Sequence, residues 1–282
     1  MKSRALNNWF GTPATVWLSL FLAGPLLMVF LLSFCTRGTY GGIEYTLTFM
    51  NYAKAFQPLY LEIYLRSLTL AVMTTGLCLL IGFPMAWAIS TSSSRQRSVL
   101  IFLLALPFLM NLVIRVYSVR LFVGFEGPIQ ELLRWTGTPH DPFSFTRNQF
   151  LVLYGMVTSY LPFMVFPLFA SLEKFDFSQV EASYDLGASH WQTLTKVLIP
   201  GNRHGISNGC LLVFVPSMGE FVIPDLLGSA KNMLMGNLIT EQFLKARDWP
   251  LGAALTVVFV TTLVLFAVLI IRWGGRYGKE AS

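Results

Sequence analysis

Charge is what this chain has least of. Only 12% of its 282 residues are Asp, Glu, Lys or Arg, about half the share found in an ordinary soluble domain. A chain this long with so few ionisable groups cannot cover its surface for water. With 54% hydrophobic residues and a mean hydropathy of +0.60, it takes lipid as its solvent. Cysteine is scarce too. Cys35, Cys78 and Cys210 are odd in number, two of them lie inside apolar runs, and no C-x-x-C occurs, so neither a disulfide framework nor a zinc site is indicated. The sequence patterns that carry catalysis are also missing. There is no G-x4-G-K-[ST] loop to cradle nucleotide phosphates, no H-E-x-x-H and no G-x-S-x-G, and His140, His190 and His204 show no i, i+4 pairing. The chain does not read as an enzyme, and no metal or cofactor is expected on it. Its net charge of +6 comes from Lys and Arg standing singly or in pairs at the edges of apolar runs. That is the pattern of membrane flanks, not of a nucleic-acid footprint.

What is present is long apolar runs. A helix needs about 20 apolar residues to cross the hydrocarbon core, and windows of that order cover about 13–34, 67–90, 98–120, 148–172, 205–227 and 251–271. Lys2 and Arg4 precede the first run, which is longer than the apolar core of a signal peptide. It has no A-x-A site and ends in bulky Phe34, so it reads as a retained helix. The expected fold class is all-α integral membrane, a single transmembrane domain over 1–282 with six transmembrane helices. Six crossings put both termini on one side. Lys and Arg divide evenly between the two sides, but the short loop STSSSRQR (90–97) is basic and free of acid, which places both termini in the cytoplasm. The spans carry Pro25, Pro84, Pro107, Pro162, Pro167, Pro216 and Pro224. Membrane helices tolerate proline when neighbours or cavity water satisfy the freed carbonyls, and a bundle with so many breaks suits a transporter or channel better than an anchor.

The stretch EASYDLGASHWQTLTKVLIP (181–200) is polar, yet it lies between two of these runs. Val180, Tyr184, Gly187, Ala188, Trp191 and Leu194 fall on one stripe of a 3.6-residue period, which predicts a helix over about 178–196. Ser178 and Glu181 fit a capping box. Glu181 and Asp185 near the start and Lys196 near the end suit the helix dipole, and Pro200 is expected to stop the helix. A glycine in mid-helix costs about 1 kcal/mol relative to alanine. Gly187 therefore points to a place where another surface approaches the backbone. The plainer alternative is a surface helix resting on the membrane.

At these residues the sequence resembles the membrane permeases of binding-protein-dependent ABC importers, whose motif runs E-A-A-x3-G-x9-I-x-L-P. Glu181, Ala182, Gly187 and Pro200 match. Ser183 stands for the second alanine, Val197 for isoleucine and Ile199 for leucine. Ser183, and His204 where related chains often carry proline, are the departures. The resemblance implies the type I ABC importer permease fold, in which this segment is a cytoplasmic coupling helix inserted into a cleft of an ATPase subunit. Glu181, Ala182, Ser183, Gly187 and Pro200 would then be the coupling residues, and ATP with magnesium would be bound by the partner. The stretches LVIRVYSVRLF (112–122), LPFMVFPLFASLEKFD (161–176), GEFVIPDLLG (219–228) and QFLKARDWPLGAA (242–254) are similar to permeases of spermidine/putrescine importers. That implies a bacterial inner-membrane heterodimer with a second homologous permease, a cytoplasmic ATPase dimer and an extracytoplasmic polyamine-binding protein.

The residues add something of their own. Flexible polycations need carboxylates and aromatic faces along their path, and an ionisable group inside a span is by default a functional-site hypothesis. Glu220, Phe221 and Asp225 supply these groups. Five residues apart, the two carboxylates diverge by about 140° on a regular helix. Pro224, however, clashes with the Glu220 carbonyl and predicts a kink that re-aims Asp225 toward the same lumen. The alternatives are a Glu220 that ties helices together, through Ser217, and an interfacial Asp225. Trp87 and Tyr117 read as interface aromatics, Arg115 and Arg120 as outer-edge anchors. Asp248 with Pro250 reads as the cap and first turn of the last span. An ABC permease for another small cationic solute fits the same features. An ion-coupled secondary transporter would need paired broken helices in two halves, and the break near 220 has no clear counterpart.

Overall fold

Several of the irregular turns in these helices lie at prolines, and the closest helix approach lies at glycines. The computed structural model describes residues 15–38, 41–123, 127–128, 131, 135, 149–228 and 233–275. His140, the first two residues of the expected first span, residue 148 and the basic residues Lys2, Arg4, Arg134, Arg147, Lys231, Arg276 and Lys279 lie outside them. The described residues are mostly helical, and among them there is one pair of two-residue antiparallel strands, β1 (Thr36–Arg37) and β2 (Ile43–Glu44). The helices are α1 (Thr15–Leu32), α2 (Met50–Ala55), α3 (Pro58–Thr91), α4 (Ser94–Leu109), α5 (Leu112–Val123), α6 (Gln149–Leu172), α7 (Ser178–Asp185), α8 (His190–Thr193), α9 (Arg203–Met218), α10 (Val222–Leu227), α11 (Met235–Leu244) and α12 (Trp249–Gly275).

Four of them, α1, α3, α6 and α12, are long and apolar enough to cross a membrane, and α4 with α5 makes a fifth if that pair is one span. The expected span 98–120 is not straight. It bends by 87° between α4 and α5, where Pro107 lies in a 3₁₀ turn at Leu106–Leu109 and Asn111 Oδ1 accepts the Val113 N–H at 2.8 Å to restart the helix. The expected span 205–227 is divided as well: α9 stops at Met218 and α10 begins at Val222. Pro84, Pro162, Pro167 and Pro216 sit inside continuous helices. The chain widens into a π-turn at Ser19–Ala23 and again at Leu194–Leu198, in each case two residues before a proline, Pro25 or Pro200. The wider turn relieves the clash between the proline ring and the carbonyl one turn back.

The chain divides into two compact units. The first comprises residues 1–62 and 238–262. In it the chain leaving α1 is held to α2 by Asn51, whose Nδ2 donates to the carbonyls of Ser33 at 3.0 Å and Cys35 at 2.7 Å. Leu32, Cys35 and Ala253 form its small apolar core with Val29, Ile43 and Phe243. Arg37 Nη2 donates to the Ala246 carbonyl at 2.9 Å. Asp248 Oδ1 accepts the Leu251 N–H at 3.1 Å, so Asp248 and Pro250 start α12 as the sequence predicts.

The second unit, residues 63–237 and 263–282, is built on α6 and α9. Leu168 and Leu172 of α6 and Val213 of α9 are fully buried. The two helices approach closely because Gly205 and Gly209 face α6 one turn apart. A Cβ at Gly205 would overlap the Ser171 side chain and lie 3.1 Å from the Pro167 carbonyl, and one at Gly209 would lie 2.6 Å from Met164 Sδ. Small residues four apart are how membrane helices gain packing without a hydrophobic drive between them. The Phe214 and Phe266 rings stack at 5.1 Å and so pack α9 against α12.

Candidate functional site

The segment 178–201 is an elbow and not a single rod. The first arm, α7, ends in a Schellman turn: the Gly187 N–H donates to the Tyr184 carbonyl at 2.8 Å, and the Ala188 N–H to the Ser183 carbonyl at 3.0 Å. Gly187 has φ +79°, the left-handed conformation that glycine adopts without penalty at this position. A Cβ there would meet nothing within 4 Å, so within this chain the backbone angle, not crowding, demands the glycine. The predicted continuous helix over 178–196, with Gly187 inside it, is corrected accordingly.

The predicted capping box at Ser178–Glu181 is also corrected. Phe177 is the cap residue of α7 and makes no side-chain bond. Asp176 Oδ1 accepts the Ser178 N–H at 3.0 Å instead. Hydrogen bonds from Ser178 hold the Asp176 carboxyl below the ordinary aspartate range. The true box opens the second arm, where the Gln192 N–H donates to Ser189 Oγ at 3.3 Å and the Ser189 N–H donates to Gln192 Oε1 at 2.9 Å. Pro200 does not stop the helix, which continues through Ile199–Gly201. The arms are clamped by Ser183 Oγ with Thr193 Oγ1 at 2.8 Å and by the Tyr184 hydroxyl with His190 Nδ1 at 2.9 Å. Ser183 therefore has a structural task where the motif carries alanine. The corner presents Leu186, 88% exposed, and Trp191, 72% exposed, an apolar knob on a polar segment.

Other ends of the same unit share the elbow's face. Arg97 Nη1 lies 2.8 Å from Glu173 Oε1, which brings the loop between α3 and α4 to the end of α6. Lys196 and Arg203 line one cleft with Gly274 near the end of α12.

The second candidate site is the break between α9 and α10. Glu220 is 7% exposed. Its Oε1 accepts the backbone N–H groups of Phe221 at 3.1 Å, Val222 at 2.9 Å and Ile223 at 3.3 Å, and its Oε2 accepts the Tyr160 hydroxyl. The carboxylate thus satisfies the orphan donors of α10 and ties the break to α6. Pro224 sits in the first turn of α10, where no N–H is missed, so it does not cause the break. The predicted kink at Pro224 is replaced by a break at Gly219–Phe221. The Glu220 carbonyl is backed by Gly236, whose Cβ would stand 3.1 Å from it. Ser217 Oγ is buried without a hydrogen-bond partner, so the partner of Glu220 is Tyr160, which the sequence reading did not single out. Phe221 is 47% exposed and Asp225 is exposed. Glu220 and Asp225 are not brought together by a shared hydrogen bond. Arg115 is no simple anchor: its Nη2 donates to Ser159 Oγ at 2.8 Å and its Nη1 to the Pro107 carbonyl at 3.3 Å, bracing the bend against α6.

Apolar helices of spanning length, a clamped polar elbow and a helix broken around a buried carboxylate are the parts of a membrane transport component. The chain belongs to the family of binding-protein-dependent transport system inner membrane components, whose model matches residues 3–276. It is 42% identical over 257 residues to the spermidine/putrescine transport system permease protein PotB of Escherichia coli (strain K12), covering 91% of this chain and 93% of that protein. It is 39% identical over 271 residues to the PotB of Haemophilus influenzae, covering 95% and 94%. The crystal structure of a bacterial ABC transporter that imports the acidic polysaccharide alginate contains a chain that superposes with a TM-score of 0.73. The sequence identity there is 19%, over 98% of this chain and 97% of that one. The fold is that of a type I ABC importer permease, and the chain is an inner-membrane transport subunit, not an enzyme.

Proposed function

We propose that this chain is one permease of an ATP-driven polyamine importer, paired with a second homologous permease and powered by a cytoplasmic ATPase dimer that binds ATP and magnesium. An extracytoplasmic binding protein delivers the polyamine. The similarity to PotB over nine-tenths of the chain supports the substrate class, and the basic, acid-free loop 90–97 supports placing both termini in the cytoplasm.

The observation that carries the mechanism is the placing of the two sites at opposite ends of one helix. α9 starts at Arg203, directly after the elbow, and ends at Met218, directly before the Glu220 break. Its 16 residues make a rod of about 24 Å. In the proposed cycle the ATPase grips the elbow at Glu181, Ala182, Gly187 and Pro200, with Ser183 holding the two arms in register. Closure of the ATPase moves α9 and α6 together through their glycine contacts. The movement reaches the Glu220–Tyr160 tie and alters the break, where Phe221 offers a cation–π face and Asp225 a carboxylate to a passing ammonium group.

The test is reconstitution of this permease with its partner permease, ATPase and binding protein in vesicles. ATP hydrolysis should rise when the binding protein carries spermidine or putrescine. A rise with a different small cation and none with either polyamine would favour the other-solute reading. Uptake by this chain without an ATPase would defeat the importer reading altogether.

A further inference from the structure

The cleft that the elbow shares with the end of α12 is lined in part by Ala182, Ser183 and Pro200 of the coupling segment, but it also carries cationic groups that the proposed coupling does not use. Its cationic groups are Lys196 and Arg203, with the His204 imidazole beside them. Leu186, Val197 and Pro200 form its apolar side, and no carboxylate is among the described residues that line it. Asp176 lines the neighbouring cleft, which shares His204 but not Lys196 or Arg203. The cleft also lies at the end of an apolar helix long enough to cross a membrane. Arg203 lies over the Trp273 ring, 5.5 Å from its centroid, and Trp273 is 43% exposed in the last turn of α12, beside Arg272. Tryptophan and arginine at the end of a span mark the headgroup level. An anion held here with an apolar tail running down the wall matches both halves of the cleft. A soluble anion matches only one.

We propose that this cleft seats the phosphate of an anionic phospholipid headgroup, with Lys196 and Arg203 on the phosphate and an acyl chain against Val197. Basic pockets between helices on the cytoplasmic side are a known way to hold such lipids. A lipid bound at this point would brace the elbow against α12 from the bilayer side and make coupling sensitive to the anionic lipid content.

The proposal is tested on the delipidated full chain in neutral detergent. It is titrated with phosphatidylglycerol, phosphatidylcholine and inorganic phosphate, reading bound lipid by native mass spectrometry and the thermal unfolding midpoint. Phosphatidylglycerol should bind and raise the midpoint, and the other two should not. Lys196→Gln, at an exposed position, should weaken that binding about five-fold, and the double variant with Arg203→Gln about twenty-fold. Arg95→Gln, exposed near the start of α4, should leave it unchanged. Equal binding of phosphate alone would assign the cleft to a free anion. Release of bound lipid on adding the ATPase would assign it to that partner. Full phosphatidylglycerol binding by the Lys196→Gln and double variants would overturn the site.

Discussion

Arg97 reaches three partners at once. Its Nη1 pairs with Glu173 at 2.8 Å, its Nη2 donates to the Ser90 carbonyl at 2.8 Å, and its guanidinium carbon lies 5.9 Å from the centroid of the Phe169 ring. One side chain thus fastens the ends of α3 and α6 to the start of α4, just where α6 hands over to the elbow. The ion pair and the other two contacts differ in how well they are shielded from water, and this separates the consequences of removing them.

Glu173→Gln should cost little, about 0.2–1 kcal/mol, because the pair is exposed, 32% on Arg97 and 47% on Glu173. Salt should abolish the difference from wild type. Arg97→Ala removes the carbonyl bond and the ring contact as well and should cost more, with a part that salt does not remove. Unfolding midpoints at low and high ionic strength measure both. Equal costs for the two variants would show that the ion pair is the whole of the effect.

Gly205→Ala and Gly209→Ala should each destabilise the chain by about 1–3 kcal/mol, since the added methyl meets α6 in a packed interface. Gly76 is the control. It lies inside α3 with nothing within 4 Å of its absent Cβ, so Gly76→Ala should be neutral or stabilising by up to about 1 kcal/mol. Unfolding of the isolated chain in detergent is the measurement. Three equal midpoints would contradict the close approach of α6 and α9.

These two contacts also show how much of the molecule was legible beforehand. Four spans follow from apolar length alone, and so does the start of α12, because Asp248 and Pro250 act through local geometry. The elbow was legible in position but misread in shape. The same S-x-x-[EQ] rule that suggested Ser178–Glu181 also fits Ser189–Gln192, and a glycine two residues before that serine reads better as the end of one helix than as the middle of another. The spacing of Gly205 and Gly209 was visible but says nothing about which helix it faces. Tyr160 could not be found from sequence at all, because its bond to Glu220 joins positions 60 residues apart. The break near 220 does not have the cause that Pro224 predicts, because the ladder already ends at Gly219.

Gly187→Ala should lower stability by about 1–2 kcal/mol through the left-handed backbone alone, and Gly187→Asn by less, because asparagine tolerates that conformation. The same pair separates backbone from docking. If the ATPase comes close to the Gly187 backbone, Gly187→Asn keeps the fold but loses spermidine-dependent ATP hydrolysis. Alanine and asparagine variants that both match wild type in unfolding would contradict the turn.

Glu220 and Asp225 should behave as opposites. Glu220→Ala leaves three backbone N–H groups and the Tyr160 hydroxyl without their acceptor, each worth about 1–3 kcal/mol when buried, so this variant should fail to accumulate as folded protein. Glu220→Gln retains one acceptor oxygen and should fold with reduced stability. Tyr160→Phe removes a single bond and should cost about 1–3 kcal/mol. Among the described residues the Asp225 side chain makes no hydrogen bond or ion pair, so Asp225→Asn should leave the unfolding midpoint and complex assembly unchanged. Its predicted effect is on transport: if the exposed carboxylate meets the passing ammonium groups, uptake of labelled spermidine falls in an intact complex. Normal uptake by Asp225→Asn would take that residue out of the path, and normal stability of Glu220→Ala would show that the break between α9 and α10 does not depend on its carboxylate.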